Sequence, residues 1–376
     1  LEEALDGVMF PFSGGPQEVK VLAIESSCDE TAASVLEDGR ILSDVVASQV
    51  AIHRPYGGVV PELASRNHMV NIVPVISRAL GEAGIEVGDL DAIAATAGPG
   101  LVGSLVVGLQ TAKTISMARS LPFVGVNHLR GHLLAARIED AEGDQPPVPL
   151  TGEGRDGVQD AEGDRLPPPP EFPYMALLAS GGHTGIYLVE AHDRMECLGQ
   201  TRDDAAGEAF DKAAKLLGLG YPGGPVIDRM ASTEGPHEEM PQALRQRRSY
   251  EFSFSGIKTA VAQRLAKIGG QLDEERKIAI ARGFQKAVVE ILVRKVVLAA
   301  RERQIERVVL AGGVAANRGL RAHAAEQCAA NDLTLFAPPL SRCTDNASMI
   351  AYAGYLSLRD GKRDALDLSP RAGWPL

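Results

Sequence analysis

An apolar run, a turn of small residues, a returning run, a second turn and a third run occur twice in this chain. In the first half VKVLAIESS (19–27) enters a Ser-rich turn, CDETAASVLEDGR (28–40) returns, and ILSDVVAS (41–48) follows. In the second half PYMALLASGG (173–182), HTGIYLVEAHDR (183–194) and MECLGQT (195–201) keep that order. Each half then offers a further unit. DAIAATAGPG (91–100) is a strand ending in a glycine turn, followed by a small-residue helix from Leu101 to about Ser120 and a strand in PFVGVNH (122–128). RVVLAGGVAANRG (307–319), a helix to about Asn331 and LTLFAPP (333–339) repeat it. Runs bounded by Gly, Ser and Pro read as strands, and self-similarity read early prevents a wrong fold. The pattern predicts an α/β protein with two duplicated lobes facing each other across a cleft.

The halves are separated by a break. Residues 139–171 are rich in acid, Gly and Pro, carry AEGD twice, and close on Pro167–Pro170. Such a composition does not bury enough apolar surface to order itself, so it reads as a flexible insertion. The expected organisation is a polar tail (1–18), an N-terminal lobe (19–138), the insertion (139–171) and a C-terminal lobe (172–376). The last helix is expected to pack back on the N-terminal lobe. The length, 376 residues, suits two such lobes.

The net charge of −11 at first argues against nucleic acid, whose phosphates call for a basic surface. Sorted by segment it says something else. Residues 1–19 carry −4 and residues 139–171 carry −8, which leaves +1 for the rest. Aromatics are only 5%, too few for a base-stacking platform. Cys28, Cys197, Cys328 and Cys343 form no CxxC pair, so neither a zinc ribbon nor a disulfide framework is expected. No apolar run reaches the roughly 18 residues of a membrane span, and a secretory pattern is missing. A reducing cytoplasm is the expected location, with no membrane partner. The chain opens on Leu1 instead of Met, which points to a start upstream or at Met9.

Five small-residue loops follow expected strands or helices: ESSCDET (25–31), AGPGLVG (97–103), ASGGHT (179–184), YPGGP (221–225) and AGGVAANRG (311–319). Backbone N–H groups in such turns suit phosphate. One alone is more often a plain turn; five from both halves argue for a nucleotide cleft. The sequence GxxxxGK[ST] is missing, as is a GxGxxG opening the first unit, against a P-loop and a Rossmann site.

His128 and His132 stand at i, i+4, so a helix puts both imidazoles on one face, able to grip one ion. Leu129 stands where an HExxH protease would need Glu, which removes that general base. A third ligand must come from elsewhere, and Asp345, just ahead of an apolar helix, is a candidate; a plain helix cap is the alternative. DDAAGEAFDKAAKLLG (203–218) is expected to be one helical stretch, with Asp204, Glu208 and Asp211 on a shared face, either solvated or, at Asp211–Lys212, binding ribose hydroxyls. Arg245, Arg247, Arg248 and Lys258 frame SYEFSFSGIK, either a solvated loop or a patch facing polynucleotide phosphate.

Taken together, IESSCDETAASV, YGGVVPELASRNH, TAGPGLVGSL, NHLRGHLLA, ASGGHT, DDAAGEAFDKAAKLLGLGYPGGP, FSFSGIKTA, AGGVAANRGLR and CTDNASMIAYAG strongly resemble the tRNA threonylcarbamoyladenosine transferase family in its bacterial form, once named O-sialoglycoprotein endopeptidases. They cover nearly all of residues 20–138 and 172–356; the tail and the insertion depart from the family pattern. The resemblance implies the two-lobed actin/sugar-kinase/Hsp70-like fold, and transfer of threonylcarbamoyl from threonylcarbamoyl-AMP to N6 of the adenosine 3′ of the anticodon in tRNAs reading ANN codons. It implies His128, His132 and Asp345 as ligands of one divalent metal, Fe(II) by the usual assignment, with Zn(II) or Mn(II) also accepted by such a set. It implies Ala179, Ser180, Gly181, Gly182 and His183 as a substrate-contacting loop, and Asp211, Gly224, Asp228 and Asn317 as further substrate contacts. Its partners would be tRNA, a TsaB-like inactive paralogue and a TsaE-like ATPase. With no Ser/His/Asp or Cys/His set in view, direct transfer is expected. The rival readings are a metalloprotease and a non-catalytic nucleotide-binding scaffold.

Overall fold

The first six strands form one sheet. In chain order the elements are β1 (Lys20–Glu25), β2 (Glu30–Glu37), β3 (Arg40–Ser48), α1 (Val50–His53), α2 (Pro61–Glu82), β4 (Ala92–Gly98), α3 (Val102–Arg119), β5 (Phe123–Asn127), α4 (His128–Leu134) and β6 (Glu139–Asp140). The second half gives β7 (Tyr174–Ala179), β8 (Thr184–Ala191), β9 (Arg194–Gln200), α5 (Ala206–Leu217), α6 (Gly223–Ala231), α7 (Ser255–Ile268), α8 (Glu274–Glu302), β10 (Arg307–Ala311), α9 (Arg318–Ala329), β11 (Thr334–Phe336) and α10 (Ser348–Arg359). This computed structural model describes residues 18–140, 169–233, 235–242, 249–268 and 272–376. Residues 1–17 of the tail, 141–168 of the insertion, and Arg245, Arg247 and Arg248 lie outside the described residues.

The two sheets share one strand order. The first runs β5-β4-β1-β2-β3-β6 and the second β11-β10-β7-β8-β9. β1 pairs antiparallel with β2 and parallel with β4; β7 pairs antiparallel with β8 and parallel with β10. The parallel pairs are joined through helices, as parallel strands require. Short apolar strands explain the layout. VLAI in β1 and YMALLA in β7 are buried throughout, the mark of a central strand covered on both faces. β9 (RMECLGQ), in which polar Arg194, Glu196 and Gln200 break up the apolar residues, takes an exposed edge.

β6 is the extra strand. Its two residues pair with Arg40 and Ile41, so the opening of the expected insertion belongs to the first sheet. Fully buried Ile138, whose carbonyl accepts from Arg342, carries the chain to that edge.

Helices cover both faces of each sheet. α8, 29 residues long, is the spine of the C-terminal lobe and buries Phe284, Val288, Ile291 and Leu292 among Phe210, Ile227 and Phe254. α10 comes late in the chain yet packs on the first sheet, its Met349, Ile350 and Ala353 against Val21, Ala94, Val124 and Val126. It thereby ties the second half of the sequence to the N-terminal lobe and fixes the residues before it over α4.

Candidate metal and nucleotide site

β5 runs straight into α4, so His128 is the first residue of the helix and His132 stands one turn on. Asn127 caps the helix, its Oδ1 accepting from the N–H groups of Leu129 (2.9 Å) and Arg130 (3.4 Å). The two imidazoles meet edge to face, with centroids 4.7 Å apart. From the turn before α10, Asp345 Oδ1 reaches to 3.1 Å from His132 Nε2 and 3.5 Å from His128 Nε2. The three donor atoms lie within 4.8 Å of one another, and both histidines are buried. Asp345 does not cap α10; that role falls to Asn346, whose Oδ1 accepts from Met349 N–H. Leu129 joins the buried cluster of Leu133, Tyr174 and Tyr187.

Behind the trio stands an acid the spacing rules did not pick out. Glu25 closes β1 and is fully buried; its Oε2 lies 3.0 Å from His128 Nδ1 and accepts from Thr96 Oγ1. Ser27 Oγ is 3.2 Å from the same Nδ1. Burial alone would push His128 down, but the carboxylates of Glu25 and Asp345 outweigh it and raise it to about 10. Burial likewise opposes the charge on each carboxylate, and His128 holds both below the usual range. Two ionised carboxylates around a histidine pair call for a cation at this spot.

A divalent metal fits. Donor spacings of 3.1 and 3.5 Å are those of neighbouring ligands about an ion bound at roughly 2.0–2.2 Å. Two imidazoles and one carboxylate are a borderline donor set that suits Fe, Zn and Mn. Glu25 on His128 Nδ1 is the outer partner that ligating histidines characteristically have.

The 179–183 loop sits beside this cluster. Ala179 ends β7, and Ser180 N–H donates to the His183 carbonyl (2.8 Å) while His183 N–H donates to Ser180 Oγ (3.1 Å). Gly181 and Gly182 have open space where a Cβ would stand, so their backbone is accessible to a ligand. Burial, reinforced by His128 and His132, lowers His183 to about 4 and keeps it neutral. Gly312, at φ +84°, lets the loop after β10 press on Ala179; a Cβ there would meet the Ala179 carbonyl oxygen at 2.5 Å.

Asp211 Oδ1 accepts from Gly223 N–H at 2.7 Å and so joins α5 to the first turn of α6, where Gly224 faces open space. Burial lifts Asp211 to about 6, with Asp29 of the facing lobe adding to the effect. Asp228 and Asn317 form a separate group. Gln285 of α8 joins them, donating to Asp228 Oδ1 (3.2 Å) and accepting from Asn317 Nδ2 (2.8 Å). Asn317 Oδ1 caps α9 on Leu320 N–H, and Arg318 pairs with Asp228.

Two expectations need correction. The acidic stretch is not one helical face: α5 begins at Ala206, because Asp203 and Asp204 are committed elsewhere. Asp203 accepts from the N–H of Phe254 and the hydroxyls of Ser253 and Ser255, and Asp204 pairs with Lys212 (2.6 Å) and Lys258 (2.9 Å). Lys258 is therefore spent on Asp204 instead of facing phosphate, and Lys212 also pairs with Glu208. Glu25, Asp29 and Gln285 went unnoticed in the sequence. For Glu25 the available signal was a lone acid ending an otherwise apolar central strand.

A profile of the tRNA N6-adenosine threonylcarbamoyltransferase family matches residues 40–158 and 160–352. The protein of that name from Sorangium cellulosum is 53% identical over 358 residues, 94% of this chain and 95% of its own. That from Geobacillus kaustophilus is 46% identical, covering 96% of this chain and 98% of its own. Among solved structures, component A of (R)-2-hydroxyglutaryl-CoA dehydratase from Acidaminococcus fermentans superposes with a TM-score of 0.51 at 16% identity, over 90% of this chain and 98% of its own. Full-length HypF does so at 0.56 and 13%, over 90% of this chain and 46% of its own. These likenesses show the fold, the two-lobed actin/sugar-kinase/Hsp70-like architecture. The motifs, the family profile and relatives matched over nearly their whole length agree: the chain belongs to the tRNA N6-adenosine threonylcarbamoyltransferase family.

Proposed function

We propose that this chain transfers the threonylcarbamoyl group of threonylcarbamoyl-AMP to N6 of the adenosine 3′ of the anticodon in tRNAs reading ANN codons, forming N6-threonylcarbamoyladenosine. The observation that carries this is the convergence of His128, His132 and Asp345 beside the open glycines of the 179–183 loop. These three side chains would hold one divalent ion, Fe(II) in the first instance. When bound, the ion supplies Lewis acidity toward oxygen atoms of the mixed anhydride.

The chain's own residues do the rest. The anhydride carries AMP, a good leaving group, and the attacking amine is weak because its lone pair is delocalised into the ring. Positioning therefore supplies much of the rate. Gly181 and Gly182 are exposed, with open space on their Cβ side, so this loop can come close to phosphate or the carbonyl oxygen. Asp211, held by Gly223, presents a carboxyl toward ribose hydroxyls near Gly224. Neutral His183 offers a hydrogen bond without placing a further positive charge beside the cation. Burial pushes the Cys28 thiol far up, which disfavours a thiolate there and is in keeping with direct transfer. The body outside the acidic segments is near neutral, and tRNA would be held with help from a TsaB-like paralogue and a TsaE-like ATPase.

Reconstitution with tRNA, threonylcarbamoyl-AMP and those partners, followed by mass analysis of the nucleosides, tests the activity. His128→Ala is expected to lower transfer by about a hundredfold or more while adenylate binding persists. Unchanged transfer in that variant would remove the metal from the mechanism.

A further inference from the structure

The segment after α10 crosses back over the N-terminal lobe and reaches the base of the metal helix. Asp364 N–H donates to the Phe123 carbonyl (2.9 Å), and the Asp364 carboxylate accepts from Gly125 N–H (2.8 Å). Buried Lys113 holds the Leu368 carbonyl. Arg371 N–H then donates to the Ala97 carbonyl (2.8 Å), and the Ala372 carbonyl accepts from Gly100 N–H (3.2 Å). Last, the Trp374 carbonyl accepts from Asn127 Nδ2 at 2.9 Å. The Arg371 guanidinium lies 4.8 Å from the centre of the Trp374 ring and braces this end.

The lobe is shaped to receive the segment. A Cβ on Gly98, whose φ is +150°, would collide with the Arg371 carbonyl oxygen, and one on Gly125 with the Leu368 side chain. Two routes lead from this segment to the start of α4. The 98–100 turn is followed by Leu101, whose N–H donates to the Ser27 carbonyl (2.8 Å), and Ser27 Oγ lies on His128 Nδ1. Asn127 is more direct still: one end of its amide caps α4, and the other is held by Trp374.

We infer that residues 364–374 are a positioning strap for the metal helix, acting through Asn127 and the 98–100 turn to set the direction of His128 and His132. The inference rests on the reading of His128, His132 and Asp345 as metal ligands. Outer partners that orient ligands are worth about 10–100-fold in metal affinity, so loss of the strap falls in that range.

Cobalt(II) alone is the probe, titrated into the full chain and read by its visible absorption, with melting curves recorded alongside. Two variants are compared with the parent chain: Asn127→Ser, which keeps a capping oxygen but loses the amide that reaches Trp374, and a chain stopped after Ser369. The strap predicts cobalt bound about tenfold or more weakly by both, with an altered absorption envelope, well below the melting temperature. Parent-like affinity and spectrum in Asn127→Ser would overturn the strap, even if the shortened chain fails to fold. A parent chain that binds no cobalt would instead overturn the metal reading beneath it.

Discussion

Glu25 is a carboxylate sealed at the end of a central strand, and such a group keeps its charge only where a cation answers it. His128 supplies that answer in the chain alone, and its raised proton affinity records the strength of the pull. A bound ion would take over that role, with Glu25 then polarising His128 through Nδ1. Glu25→Gln keeps the shape and an acceptor oxygen but removes the charge. Metal affinity, measured by competition with a chelating dye, is expected to fall about 10–100-fold. Equal affinity would assign Glu25 to packing alone. The histidine pair was legible because helical spacing is local. Glu25 was not, because its role comes from a residue 103 positions away. Gln285 was hidden for the same reason: its partners Asp228 and Asn317 lie 57 and 32 residues distant.

At the scale of elements, close packing of small residues brings α10 onto the first sheet. Gly354 faces β4, and a Cβ there would stand 2.5 Å from the Ala94 Cβ. Helix propensity favours Gly354→Ala by about 1 kcal/mol, whereas overpacking a rigid strand costs about 1–3 kcal/mol. The wall here is a fully buried strand, so the larger cost wins. Gly354→Ala is expected to lose up to about 2 kcal/mol net in urea unfolding; a gain in stability would show that the two elements can part. The succession of strands and turns along each half was readable from the repeated runs, because strand periodicity and glycine turns are written locally; the pairing order within each sheet, set by contacts distant in the chain, was not. The start of α5 was not. Asp203 and Asp204 fit a helical spacing, but hydrogen bonds to Ser253, Phe254 and Ser255 and pairs with Lys212 and Lys258 hold them outside the helix.

Across the whole molecule, the joint between the late helix and the early sheet is also where stability is linked to pH. Asp44 of β3 accepts from Ala347 N–H, at the threshold of α10. Its burial lifts it to about 6, against the smaller opposing pull of Ser348, Ala347 and Arg342. A carboxyl whose folded value lies above its unfolded one binds its proton more tightly in the folded chain. The stabilisation it gives is complete below the unfolded value, near 3.8, and is lost as pH rises through about 6. A shift of that size corresponds to at most about 3 kcal/mol. Asp44→Asn keeps an acceptor for Ala347 and cannot ionise, so it removes this dependence and no other. The difference in unfolding free energy between parent and variant is expected to move toward the variant by about 2–3 kcal/mol between pH 4 and pH 7, measured by urea titration at each pH. A difference that stays constant over that window would show that Asp44 is ionised in the folded chain throughout, with the joint held by Met349, Ile350 and the first sheet alone.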